Sequence, residues 1–314
     1  MSGRIALVSG CDANYYPLLR EWLHSVQRFP GSARLDICIL DAGLSEAQVA
    51  ELKPLVKAIT RPDWPTSLPL KKTQGKEYLK ACVCRPFLPK IFPGYDTYMW
   101  MDADTWVQDW SAVEMFLRGA TERKDRIILT GAADRAYYRQ TRIKWLWRWP
   151  YKVTSFYFSN AMKPFGFKIA QLLLTRFNLS AGCFAMDANA PHWKRWQELA
   201  IKAMTKGKLF PAEQLSLGVL IHVEGFRVEI LPAYTHWLCG QTPLVWDSVN
   251  NLLVEPYMPH VPIGVMHMAG VDEMRADRTR TRSYRTLDGN TVNLNYRYPH
   301  YDGGPLGTGS PDRA

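Results

Sequence analysis

At 314 residues the chain is long enough for two average domains or for one α/β domain with insertions, and it can bury a core without disulfide or structural-metal staples. A composition of 47% hydrophobic and 22% charged residues with 21 Gly and 21 Pro excludes a disordered, collagenous or coiled-coil chain. The 39 Lys and Arg against 29 Asp and Glu leave +10, which favours polyanionic partners such as nucleic acid, anionic lipid or a phosphorylated ligand without choosing among them.

The six cysteines (Cys11, Cys38, Cys82, Cys84, Cys183, Cys239) form no CxxC pair, so they read as reduced, mostly buried thiols rather than a zinc site. Met1 to Ser9 has no basic region or cleavage site, and no apolar run reaches the ~18 residues of a membrane span. The expected location is cytoplasmic, with peripheral contact at the inner face of the membrane.

Ile5 to Val8 is a short apolar run closed by Ser9-Gly10, the pattern of a buried strand ending in a turn. Leu18, Leu19, Trp22, Leu23 and Val26 then recur at helical spacing. Leu35 to Leu40 is a second strand, and Ser45 with Gln48 forms a capping box that opens a helix to about Leu55. Arg61 to Gly75, with three prolines, reads as a loop, and Pro86 and Pro89 interrupt a helical segment that begins near Glu77. Tyr98 to Met101, Ile127 to Thr130, Cys183 to Met186, Val228 to Leu231 and Ile263 to Met266 are further apolar runs of strand length. Pro191 to Met204 and Pro211 to Ile221 read as helices. Strands alternating with helices predict an α/β fold with a mostly parallel, doubly wound sheet. One domain is expected over 1–298, with an insertion over 135–178 and a Gly- and Pro-rich disordered tail over 299–314.

Asp102-Ala103-Asp104 follows an apolar strand, where open α/β sheets bind ligands beyond the strand ends. Paired hard oxygens there suit Mg²⁺ or Mn²⁺, which bridge diphosphate oxygens. A DxD triplet by itself is more often a solvated turn; the buried strand before it and Trp106-Val107 after it favour a site.

The run Tyr95-Asp-Thr-Tyr-Met-Trp-Met-Asp-Ala-Asp-Thr-Trp-Val-Gln-Asp109 resembles the signature of retaining GT-A glycosyltransferases of family 8, the group of bacterial lipooligosaccharide galactosyltransferases and glycogenin. Further segments are similar in the same order: Val8-Ser-Gly-Cys-Asp-Ala-Asn-Tyr15, Leu40-Asp-Ala-Gly-Leu-Ser-Glu46, Leu179-Ser-Ala-Gly-Cys-Phe184, Pro211-Ala-Glu-Gln214 and His267-Met-Ala-Gly270. The resemblance spans about Ile5 to Gly270 and implies a GT-A fold. It also implies a metal site of Asp102, Asp104 and His267 that holds Mn²⁺ or Mg²⁺. The imidazole favours Mn²⁺. The donor is expected to be a UDP-sugar, held by Asp12, Asn14, Tyr15, Arg85, Asp102, Ala103, Asp134, Ser180 and Gly182, with Gln214 and Glu213 at the reacting end of the sugar. Tyr15 offers a ring to the base, and Arg85 two hydrogen bonds to phosphate, which Lys cannot match. Retention is implied by the resemblance alone.

Departures from the family pattern gather at the sugar end. Ser180 stands for the usual Asn and Glu213 for the usual Asp, while Val-Asp-Glu-Met-Arg275 replaces a lysine followed by Pro-Trp. Arg275 or one of Arg278, Arg280, Arg282 and Arg285 is the candidate substitute for that lysine. The competing readings are an inverting GT-A transferase, a sugar nucleotidyltransferase or an inactive basic binding protein. Ser9 to Pro17 lacks a nucleotidyltransferase's glycine-rich basic loop.

Arg135 to Met186 holds nine Lys or Arg, thirteen aromatics and no acid. It is expected to face an anionic membrane or a lipid-linked or saccharide acceptor, or else to form the core of a small helical subdomain. Nucleic acid is not an expected partner.

Overall fold

The computed structural model describes residues 3–137 and 142–299. The expected tail therefore lies outside the described residues, apart from Pro299. A seven-stranded sheet forms the centre. Its strands in chain order are β1 (Ile5–Cys11), β2 (Asp36–Asp41), β3 (Ala58–Thr60), β4 (Thr97–Met101), β6 (Ile127–Gly131), β9 (Leu179–Asp187) and β10 (Val228–Leu231). Their spatial order is β10-β6-β9-β4-β1-β2-β3. Every pairing is parallel except those of β9, which runs antiparallel to both β4 and β6. The expected mixed α/β, mainly parallel sheet is present.

A second sheet lies beside the carboxyl end of β4. It consists of β5 (Thr105–Val107), β11 (Trp237–Leu238) and β14 (Val265–His267), with β14 between the other two. Three hairpins complete the strands: β7 (Arg142–Leu146) with β8 (Trp149–Thr154), β12 (Val245–Asp247) with β13 (Leu252–Val254), and β15 (Arg282–Arg285) with β16 (Thr291–Leu294).

The central strands are apolar along their whole length because both faces are covered. On β1, Ala6 and Val8 enter one core with Trp100, Phe184 and Trp196, while Ile5 and Leu7 enter the opposite core with Met99, Phe116 and Trp22. A third, smaller core around Trp106, Trp237, Met266 and Tyr296 fixes the second sheet.

Helix Tyr16–Gln27 follows β1 as the spacing predicts, and the Ser45–Gln48 capping box is formed in both directions. That helix ends at Leu52, before the expected Leu55, and the Arg61 to Gly75 loop contains one helical turn, Leu70–Thr73. The proline-interrupted segment is a string of four short helical turns from Glu77 to Ile91. A helix not anticipated, Trp110–Glu122, is capped by the Asp109 carboxylate on the Ser111 N–H and buries Ala112, Val113, Phe116, Leu117 and Ala120. All six cysteines are free, five buried and Cys82 partly so. Among the described residues no helix is long and apolar enough to cross a membrane.

The Arg135 to Met186 stretch divides. Tyr157, Ala161, Ala170 and Leu173, on helices Phe156–Phe165 and Phe167–Leu173, join the same core as Val8, Trp100 and Trp196 rather than the core of a separate helical subdomain. The tryptophan-rich centre forms the β7–β8 hairpin, with its described side chains outside the core.

β14 reaches the site by way of Gly264, which packs without a side chain against helix Trp110–Glu122. A Cβ on Gly264 would stand 2.2 Å from the Ala112 Cβ, while the Gly264 carbonyl accepts from the Gln108 and Asp109 N–H groups at 2.7 and 3.0 Å. Gly264→Ala is expected to destabilise the fold by roughly 1–3 kcal/mol, the usual cost of overpacking. A denaturant midpoint that falls at unchanged slope would show it.

Candidate metal and nucleotide-sugar site

β4 delivers Asp102 just past its last residue, and the turn that follows is fixed by the Thr105 N–H on the Asp102 carbonyl at 3.0 Å. That turn brings Asp104 round to β5, whose Thr105 pairs with His267 of β14. Oxygens of both aspartates and a ring nitrogen of His267 thereby lie within 4.8 Å of one another. His267 Nε2 stands 3.3 Å from an Asp104 oxygen and 3.7 Å from an Asp102 oxygen. Two carboxylates and an imidazole are a donor set suited to Mn²⁺ or Mg²⁺.

Gly182, facing this point from β9, accepts the Asp102 N–H at 2.8 Å. A Cβ there would lie 2.5 Å from His267 Cε1 and 2.8 Å from an Asp102 oxygen, so the position admits only glycine without displacing two of the three donors.

Two guanidiniums balance the acids. Arg85 is buried and bridges Asp102 at 2.5 Å and Glu213 at 2.9 Å, donates to the Ala181 carbonyl at 3.0 Å, and lies over the Trp100 ring. Trp100 Nε1 donates to the same Asp102 oxygen at 2.7 Å. Arg275, on the short helix Asp272–Ala276, donates to Asp104 at 2.8 Å and to Asp272 at 2.5 Å, with its guanidinium 5.3 Å from the Tyr15 ring centroid. Of the arginines offered as the lysine substitute, Arg275 is the one that lines the cleft.

Burial pushes the Asp102 and Glu213 carboxyls up, against the opposing pull of Arg85. Burial also opposes ionisation of Asp104, but His267 and Arg275 overcome it and hold this carboxyl well below the usual range. His267 itself is raised: burial disfavours its charge, and the two aspartates more than restore it.

His236, which carries no motif, was outside the expected set. Its Nε2 lies 2.9 Å from His267 Nδ1, and its Nδ1 lies 3.0 Å from Thr130 Oγ1. Burial, reinforced by neighbouring His267, holds His236 well below the ordinary histidine range, so it is neutral. A neutral His236 accepts the Nδ1 proton of His267 and turns the Nε2 of that ring towards the aspartates, the usual outer partner of a metal-ligating histidine.

The cleft has a volume of about 600 Å³ and is lined by Asp12, Asn14, Tyr15, Arg85, Asp102, Ala103, Asp104, Ser180, Gly182, Glu213, Gln214 and His267, all anticipated. Asp12 and Asn14 also satisfy each other, with Asn14 Nδ2 on Asp12 at 3.0 Å. Gln214 donates to the Leu179 carbonyl at 3.0 Å. Asp134 is not among the lining residues; its carboxylate accepts the Ala136 and Ala233 N–H groups, and Ala132 and Tyr137 form that wall. Tyr78, Phe210 and Gln241 also line the cleft without having been anticipated.

His236→Phe removes the acceptor for His267 while keeping a ring in the stack. It is expected to weaken Mn²⁺ binding about 10- to 100-fold with the fold intact, read from a metal-binding isotherm beside a thermal melt.

No protein-family model and no curated protein sequence matches the chain. Solved structures do. The chain is similar to the bifunctional glycosyltransferase WbbM at 14% identity and a TM-score of 0.52, over 86% of this chain and 46% of that one. It thus spans about half the length of that protein. The galactosyltransferase LgtC, in complex with donor and acceptor sugar analogs, is similar at 15% identity and TM-score 0.47, over 83% of this chain and 86% of that one. Mouse xyloside xylosyltransferase 1 is similar at 12% identity and TM-score 0.45, over 84% of this chain and 97% of that one. At such identities the likeness concerns architecture: the chain has the mixed α/β fold of GT-A glycosyltransferases.

Proposed function

We propose that this protein is a family 8-like glycosyltransferase that moves a hexose from a UDP-sugar to an acceptor hydroxyl of a saccharide or lipid-linked glycan, with retention at the anomeric carbon and with Mn²⁺ or Mg²⁺. The observation that carries this reading is the convergence of Asp102, Asp104 and His267 on one point of a cleft large enough for a nucleotide sugar. When bound there, a divalent cation supplies Lewis-acid stabilisation of the departing diphosphate.

The residues around that point divide the remaining tasks. Tyr15, beside the Asp12 turn at the end of β1, offers its ring to the base. Arg275 is anchored by Asp272 and can swing its other nitrogen from Asp104 to a phosphate oxygen, replacing the absent lysine. Arg85 orients Asp102 and holds Glu213 beside the sugar end of the cleft. Gln214 and Ser180 face the sugar hydroxyls. Because Glu213 is committed to Arg85, a same-face displacement in which the leaving phosphate accepts the acceptor proton fits better than covalent attack by Glu213.

Asp104→Asn removes a charged donor at constant volume. Metal-dependent hydrolysis of UDP-sugar should fall on the order of a hundredfold or more, since the cation is asked for several kcal/mol. Wild-type turnover by that variant in metal-depleted buffer would exclude the metal assignment. The pH dependence has a definite sign. The two aspartates favour the protonated form of His267, and a ligated His267 must give up its Nε2 proton. Mn²⁺ affinity should therefore drop about tenfold per pH unit below the His267 pKa and level off above it, as measured by isotherms across pH.

A further inference from the structure

Eight of the sixteen exposed large hydrophobic side chains among the described residues lie between Ile143 and Leu172. Ile143, Trp145, Leu146, Trp147 and Trp149 are on the β7–β8 hairpin; Met162, Phe167 and Leu172 are on the two helices that follow. Single exposed hydrophobics are ordinary, but a concentration of this kind marks an interaction surface. The hairpin tryptophans are open to solvent, Trp147 at 93%, Trp149 at 78% and Trp145 at 58%.

The loop joining the strands is Trp147-Arg148, and Trp147 holds φ at 56°. A bulky side chain enters this left-handed region only at a cost, and glycine is the usual occupant of such a loop position. The apex thus presents an indole where local preference would put no side chain at all. Lys144, next to Trp145, and Arg148, between Trp147 and Trp149, are exposed, the strand register sets Lys144 opposite Lys152, and no acidic residue occurs from Arg135 to Met186.

We propose that the β7–β8 hairpin docks on an anionic phospholipid bilayer, with Trp145, Trp147 and Trp149 in the interfacial layer and Lys144 and Arg148 against headgroup phosphates. Tryptophan rings interleaved with cations match the two layers of such an interface, apolar beneath and anionic above. A second copy meeting this face through a two-fold axis would set cations against cations. A nucleic acid would leave Ile143 and Leu146 without a role. None of the five hairpin residues lines the cleft, so the inference stands independently of the transferase reading.

The experiment is co-flotation of the full chain with vesicles of pure phosphatidylcholine and with vesicles containing about one third phosphatidylglycerol, across salt. Wild type should float with the anionic vesicles only, and less at high salt, because the field is screened within a Debye length. Lys144→Gln with Arg148→Gln should lower the partition coefficient about thirtyfold, from roughly 1 kcal/mol per cation near an anionic leaflet. Trp145→Ser with Trp147→Ser and Trp149→Ser should abolish flotation. Both variants should keep the wild-type melting temperature and donor hydrolysis. Failure to float with anionic vesicles, equal flotation with both compositions, or flotation untouched by either variant would overturn the proposal. A dimer lost in the tryptophan variant, in a protein that binds no vesicle, would overturn it by assigning the face to a second copy.

Discussion

Two carboxylates, one buried and one half-buried, brought to within about 5 Å repel each other by roughly 3 kcal/mol at an effective dielectric near 20. Asp102 and Asp104 are held in that relation by a strand end and a turn, and the surrounding site is organised to compensate for it. Asp102, Asp104 and Glu213 are matched by Arg85, Arg275 and the raised imidazole of His267. Each guanidinium is itself fixed, Arg85 by the Ala181 carbonyl and the Trp100 face, Arg275 by Asp272 and Tyr15. The opposite charges offset much of the cost of burying such a cluster, which suits it to recruiting a hard cation and a diphosphate.

The scaffold explains why the charges can be held so close. β4 is flanked by β1 and the antiparallel β9, so its end cannot drift, and β9 contributes Gly182, whose missing side chain leaves room for two of the donors. The third donor arrives from far along the chain on β14, registered against β5 and therefore against the same turn that carries Asp104. His236 enters one residue before β11, the other neighbour of β14, and locks the imidazole from behind.

Much of this was legible in sequence because it is local. An apolar run ending in Asp-x-Asp states a buried strand and its exit, and a Ser-x-x-Gln box states a helix start, both from contiguous residues. What escaped was set by tertiary proximity. His236 lies in Thr235-His-Trp237 with no spacing to mark it, and only the pairing of β11 with β14 makes it a partner of His267. Arg275 was one arginine among five until the fold put one of them on Asp104. Asp134, in Gly131-Ala-Ala-Asp134, resembled the family's donor-sugar aspartate only with looser spacing, and its carboxylate serves backbone N–H groups behind the wall. Helix Trp110–Glu122 is a different case, since its apolar spacing and Asp109 cap are local features of the sequence. The β7–β8 hairpin is a pairing that the sequence does not mark, and its tryptophans suited a membrane face or a core equally; which of the two holds is a property only of the folded chain.

The central claim is that Asp102, Asp104 and His267 together hold one divalent cation. Anomalous diffraction at the manganese edge, from crystals grown with Mn²⁺ and UDP, tests it most directly. The account predicts one strong peak per chain, about 2.0–2.3 Å from donor atoms of all three residues, with Arg275 withdrawn from Asp104 towards the diphosphate. A UDP molecule ordered in the cleft with no manganese peak, and with Arg275 still paired to Asp104, would contradict it.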